Sequence, residues 1–123
     1  MKTVAIVTGA AGPLGIAIIE ELITRSVDTI IGVDIKSFNI ESSWKDRVVE
    51  CIIDITDPSL IEKELLPIIE TYGNPLILVN NAGILSNNKS MTTSYEEWMR
   101  VLNVNLTSAF LMSQLVIPGM KEA

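Results

Sequence analysis

The stretch Thr8-Gly9-Ala10-Ala11-Gly12-Pro13-Leu14-Gly15 decides the fold. An apolar run, Val4-Ala5-Ile6-Val7, precedes it, and a helical pattern, Ile16-Ala17-Ile18-Ile19-Glu20-Glu21-Leu22-Ile23, follows. Strand, glycine turn and helix start are the parts of a phosphate cradle. A helix N-terminus leaves backbone N–H groups unpaired and carries partial positive charge. A pyrophosphate sits there when no side chain blocks the backbone, and glycine keeps that approach open. Pro13 suits the first helical turn, where a missing N–H costs nothing. Taken alone, the same turn also serves as a plain tight connection, so residues further along must decide.

Working outward, residues 3–7 read as a first strand, 13–25 as a helix and Thr29–Asp34 as a second strand, a βαβ unit of ordinary size. Residues 35–47 read as irregular, with one helical turn near Ser43–Asp46, and Val48–Ile53 as a third strand. Asp57-Pro58 has the form of an N-cap with proline at the first helical position. The helix after it reaches about Tyr72, with Pro67 expected to kink it or shift its start. Leu76–Val79 is a fourth strand. Ser94-Tyr95-Glu96-Glu97 fits a capping box, opening a helix over about 95–103. A break is expected near Asn103–Asn105, then a helix to about Met120 that Pro118 ends or bends. Continuous apolar strands alternating with helices imply an α/β, doubly wound parallel sheet. Right-handed crossovers set the strand order 3-2-1-4, with the ligand crevice at the carboxyl ends of the strands.

Composition narrows the function. The 123 residues suffice for one domain, 1–123, and 48% hydrophobic residues argue against disorder. No uninterrupted apolar run approaches the ~18 residues that span a bilayer, and the start of the chain lacks a signal-peptide layout. The expectation is a soluble, cytoplasmic protein with no membrane partner. The net charge of −6, with nine scattered basic residues, argues against nucleic acid. With no histidine in the chain, Ser-His-Asp chemistry and ordinary zinc sites are excluded and no metal is expected. The single Cys51, in an apolar strand, reads as a buried strand residue.

Three strand ends carry chemistry. Asp34 closes the second strand 19 residues after Gly15. In a Rossmann unit an acid there accepts from the adenosine ribose hydroxyls. It also repels a 2′-phosphate by up to roughly 4 kcal/mol at 4 Å before screening, which favours NAD over NADP. Asp54 and Ile55 close the third strand. The carboxylate can accept from the adenine amino group and Ile55 can pack on the ring; alternatively Asp54 only caps the following loop. Asn80-Asn81-Ala82-Gly83 closes the fourth strand, with small residues that let backbone approach a ligand.

These segments together resemble the short-chain dehydrogenase/reductase family over essentially the whole chain. The resemblance rests on Thr8-Gly9 through Gly15, Asp34, Asp54, Asn80-Asn81-Ala82-Gly83-Ile84 and Val104-Asn105-Leu106. It implies a Rossmann-like fold and a nicotinamide cofactor held by Gly9, Gly12, Pro13, Leu14, Gly15, Asp34, Asp54, Ile55, Asn81, Ala82 and Gly83. It also implies hydride transfer on a small-molecule alcohol or carbonyl. Asn105 matches the family's active-site asparagine, whose backbone carbonyl holds a water in a proton relay. Two features depart from the family pattern. Gly9, Gly12 and Gly15 lie three apart, with Pro13 where the family's middle glycine stands, a spacing commoner among nucleotide-sugar epimerases. The family's catalytic tyrosine and lysine stand four apart, whereas Tyr72 is followed four later by Leu76 and Tyr95 by Met99.

Family members run about twice this length, and Ala123 falls roughly where the connection to a fifth strand begins. The expectation is therefore a truncated cofactor half, inactive alone, because tyrosine with its pKa near 10 needs a neighbouring positive charge to work near neutrality. A non-catalytic dinucleotide-binding module remains the alternative. The 104–120 helix has a broad apolar face, Leu106, Phe110, Leu111, Leu115, Val116 and Ile117, and either covers the sheet or forms a homo-oligomer contact.

Overall fold

The computed structural model describes residues 2–123. Its sheet has four parallel strands: β1 (Val4–Thr8), β2 (Thr29–Asp34), β3 (Val48–Ile52) and β4 (Ile77–Val79). Their order is β3-β2-β1-β4, as the crossover rule requires. β1 lies between β2 and β4, and all five of its residues are buried.

Alternate β1 side chains enter two separate cores. Val4 and Ile6 join Ile31, Val33, Ile61, Leu65, Ile69, Met112 and Val116 on one face. Ala5 and Val7 join Ile19, Val27, Ile30, Phe38 and Val48 on the other. Two covered faces explain why the strands are apolar throughout rather than alternating. Gly32 makes room inside β2: a Cβ there would stand 2.5 Å from the Phe38 ring.

Helix α1 (Pro13–Thr24) has Gly12 as its N-cap and Pro13 in its first turn, with no side chain capping it. The next helix begins at Pro58, where the Asp57 side chain accepts from the Ser59 N–H at 3.0 Å. It does not break at Pro67. A π-helical turn, Ile61–Leu65, steps the register by one residue, so Pro67 falls in the first turn of the following α segment, Leu66–Tyr72.

The same device replaces the expected break at Asn103–Asn105. Tyr95–Leu102, a π-helical turn Asn103–Thr107 and Ser108–Glu122 form one continuous 28-residue helix, and Pro118 does not end it. By length and composition alone this helix could cross a membrane. Met112 and Val116 of this helix are buried in the core against the sheet. Ser94 caps it by accepting from Glu97 N–H at 3.1 Å. Only half of the expected capping box forms, because the Glu97 carboxylate turns to Arg100 instead. Between Ser42 and Trp44 a single 3₁₀ turn occupies the irregular connection.

Candidate functional site

A crevice of about 630 Å³ lies across the carboxyl ends of the strands. Gly9, Ala11 and Gly12 form its floor at the glycine turn; Asp34, Ile35 and Lys36 come from β2, and Asp54, Ile55 and Thr56 from beyond β3. Ala82, Gly83 and Ile84 bound it after β4. Its helical wall is Arg100, Asn103 and Val104.

The glycine turn is held from both sides. Ala10 N–H donates to the Val33 carbonyl at 3.2 Å, and Ala11 N–H donates to Asp34 Oδ2 at 2.9 Å. Asp34 Oδ1 accepts from its own neighbour, Lys36 N–H, at 3.0 Å. The Asp34 carboxylate thus fixes the turn as well as facing the crevice, and each oxygen keeps a second lone pair for a ligand hydroxyl. On the other side, the buried Thr8 hydroxyl accepts from Asn81 N–H and Ala82 N–H, both at 3.0 Å. Asn81 Nδ2 donates to the Gly9 carbonyl at 3.3 Å. β1 and β4 are therefore tied together immediately beneath the crevice.

The glycines differ in what they do. Gly9 has φ +65°, and a Cβ on it would meet Ala82 Cα at 2.9 Å. Gly15 sits against the turn, where a Cβ would stand 2.1 Å from the Gly9 carbonyl oxygen. Those two are required by the fold. Gly12 has φ −80°, open to any residue, and a Cβ would make one ordinary contact, 3.6 Å to Gly9 O. Gly83 is similar, its nearest neighbour being Asn105 Oδ1 at 3.5 Å. Neither conformation nor packing demands glycine at 12 or 83, and both line the crevice. Two lining glycines that the fold does not require fit a group that must approach backbone closely.

Of the residues expected from the sequence, Gly9, Gly12, Asp34, Asp54, Ile55, Ala82 and Gly83 come together on this crevice. Pro13, Leu14, Gly15, Asn81 and Asn105 are not among its lining. Pro13 begins α1, Leu14 is exposed beside it and Gly15 packs beneath the turn. Asn105 clamps the chain after β4: its Oδ1 accepts from Ile84 N–H at 2.7 Å, and its Nδ2 donates to the Ile84 carbonyl at 2.9 Å. Asp54 has a divided role. Its Oδ1 accepts from the Thr56 backbone and hydroxyl at 2.9 and 2.6 Å, the loop cap, while Oδ2 has no partner among the described residues.

Several lining residues escaped the sequence. Ile35 is exposed at the mouth, an apolar residue placed directly after Asp34, and that adjacency was the available signal. Arg100 and Val104 required knowing where the π turn sets the helix. The crevice charges are Asp34, Asp54, Lys36 and Arg100. Glu97 beside Arg100 raises the arginine above its usual range, and Arg100 holds the Glu97 carboxyl below its own. Neither tyrosine, Tyr72 nor Tyr95, lines the crevice. Cys51 is buried, which together with nearby Glu64 pushes its thiol up to about 11.

A 3-2-1-4 parallel sheet, a glycine turn entering a helix and a crevice at the strand ends define a Rossmann-like α/β fold. The chain belongs to the short chain dehydrogenase family, whose model matches residues 3–123. It is 38% identical over 122 residues to a 3-oxoacyl-[acyl-carrier-protein] reductase of Vibrio cholerae, and 36% identical over 122 residues to that of Buchnera aphidicola. Each alignment covers 97% of this chain and 50% of the relative, so the chain spans about half the length of the curated relatives it matches. Among solved structures it resembles a short chain dehydrogenase of Leptospira borgpetersenii with bound NAD+, with a TM-score of 0.88 at 27% identity, covering 99% of this chain and 47% of that one.

Proposed function

We propose that these residues are the NAD(H)-binding part of a short-chain oxidoreductase that transfers hydride to or from an alcohol or carbonyl carbon. The observation that carries this reading is the pair Gly12 and Gly83, glycines that face the crevice where the fold itself would accept a side chain. A dinucleotide whose pyrophosphate lies against the α1 N-terminus accounts for both. The nicotinamide supplies the hydride chemistry. The uncapped first turn of α1 presents backbone N–H groups, the glycine turn keeps their approach open, Asp34 receives ribose hydroxyls, and the second oxygen of Asp54 receives the adenine amino group. Asn105 acts by holding Ile84, and so by positioning the wall beside the cofactor.

Asp34 supports NAD over NADP, since a 2′-phosphate would meet its carboxylate. Residues 1–123 on their own hold the cofactor and do not turn it over, because no tyrosine lines the crevice to exchange a proton. That same observation favours a second reading, a dinucleotide-binding module without catalysis. The exposed Leu106, Phe110 and Ile117, recurring along one helix, support self-association there. The buried Cys51 thiol suits a reducing, cytoplasmic setting.

The test is calorimetric titration of the chain with NADH and NADPH, followed by a turnover assay with NAD and a panel of secondary alcohols. Binding of NADH tighter than NADPH, without turnover, is expected. Absence of NADH binding overturns the cofactor reading, and clear turnover overturns the claim of inactivity. Sedimentation at several concentrations tests the helix contact, which a dilution-independent monomer would exclude.

A further inference from the structure

Arg100 has no part in the function proposed above, yet it lines the crevice with Asn103 and Val104, three and four residues further along the same helix. The lining takes in the glycine turn, the ends of β2 and β3 and Ala82–Ile84 after β4, but nothing of α1 beyond its cap. Asp34, Ile35, Asp54 and Ile55, at the ends of β2 and β3, mark the adenosine end of that lining. Arg100 is also held in place. Its Nε donates to Glu97 Oε2 at 2.9 Å and its Nη2 to Glu97 Oε1 at 2.7 Å, a two-pronged pairing that fixes the guanidinium plane. Such a pair on a helix surface contributes little to stability. Here it orients a flat, weakly hydrated cation at the wall of a ligand crevice. Pairing with Glu97 uses the Nε–Nη2 edge of the guanidinium and engages neither face, and a guanidinium face stacks well on an aromatic ring.

We propose that Arg100, oriented by Glu97, stacks on the purine base of the bound dinucleotide and is a specificity-determining residue for that base. The inference rests on the reading of the crevice as a NAD(H) site. Planarity, more than charge, is what the site uses. Lysine keeps the charge and loses the plane, so Arg100→Lys separates the two.

The experiment measures binding of NADH directly, and of AMP and inorganic pyrophosphate by competition, to the wild-type chain, R100K, R100A and E97Q. Melting of each variant is followed in parallel. R100K and R100A should weaken NADH and AMP alike by about two- to fivefold, the size of an exposed cation–π contact. Pyrophosphate, which has no ring, should bind R100K as it binds wild type. E97Q should fold normally and weaken NADH and AMP in the same direction by less. NADH and AMP binding to R100K at wild-type strength overturns the proposal, as does an equal loss for pyrophosphate, which would make Arg100 a phosphate contact. Failure of the wild-type chain to bind NADH overturns this proposal together with the cofactor reading. Loss confined to the Arg100 variants' ring-bearing ligands supports it.

Discussion

The two long walls of the crevice are built differently. The glycine-turn wall is backbone. It is clamped by Thr8 and Asn81 from below and by Val33 and Asp34 from the side, over a strand buried on both faces. The helical wall is made of side chains, on a helix whose residues Tyr95–Leu102 include no buried position. Asn105 on Ile84 and Asn80 on Ser113 tie the helix to the chain after β4, and Glu97 orients Arg100 within it. A pyrophosphate needs a fixed lattice of donors, and backbone supplies one. A base or ribose needs shape and a few polar groups, which side chains on a helix can supply and which can vary without disturbing the fold. Damage to the clamps and packed glycines of the first wall should therefore destabilise the protein, and damage to the second should alter binding or local order.

The largest effect is expected from Gly15→Ala. A methyl group 2.1 Å from the Gly9 carbonyl cannot be accommodated without moving the turn. A loss of about 3 kcal/mol is expected in denaturant unfolding, at the upper end of overpacking. Thr8→Val should come next. It leaves the N–H groups of Asn81 and Ala82 without their buried acceptor, for about 1–3 kcal/mol. On the other wall, Asn105→Leu removes two hydrogen bonds in a more exposed setting. About 1 kcal/mol is expected, together with faster hydrogen exchange at Ile84 and its neighbours and no change at β1. An equal loss from Thr8→Val and Asn105→Leu would erase the difference between the walls.

A separate effect concerns pH. Cys51 titrates near 11 when folded against an ordinary 9.0, so burial favours the neutral thiol. Its contribution to stability is complete below pH 9 and is lost as pH rises through 11. Melting of the wild type between pH 9 and 11 should fall more steeply than that of Cys51→Ala. Identical slopes would contradict the burial.

Much of the first wall was legible in the sequence, because its signals are local. Unbroken apolar strands reported a sheet covered on both sides, and Pro13 and Asp57 marked helix starts through capping chemistry. Asp34 was legible as a crevice residue but not as the acceptor for Ala11 N–H, since that contact depends on how tightly the turn folds back on β2. The second wall was harder. A π turn adds one residue without interrupting helical hydrogen bonding, so Asn103–Thr107 read as a break when the helix runs through. Arg100 three residues after Glu97 reads as a solvated ion pair; only the position of the helix against the strand ends makes it part of a site.

The most direct test compares NADH binding and melting of wild type and Gly12→Ala. A methyl at Gly12 meets the fold only at an ordinary 3.6 Å, and Gly12 lines the crevice at the α1 N-terminus. The variant should melt within about 2 °C of wild type, a shift well under 1 kcal/mol for a chain of this size, and bind NADH at least about tenfold more weakly. Unchanged NADH binding by a folded Gly12→Ala would contradict the assignment of this crevice as the cofactor's cradle.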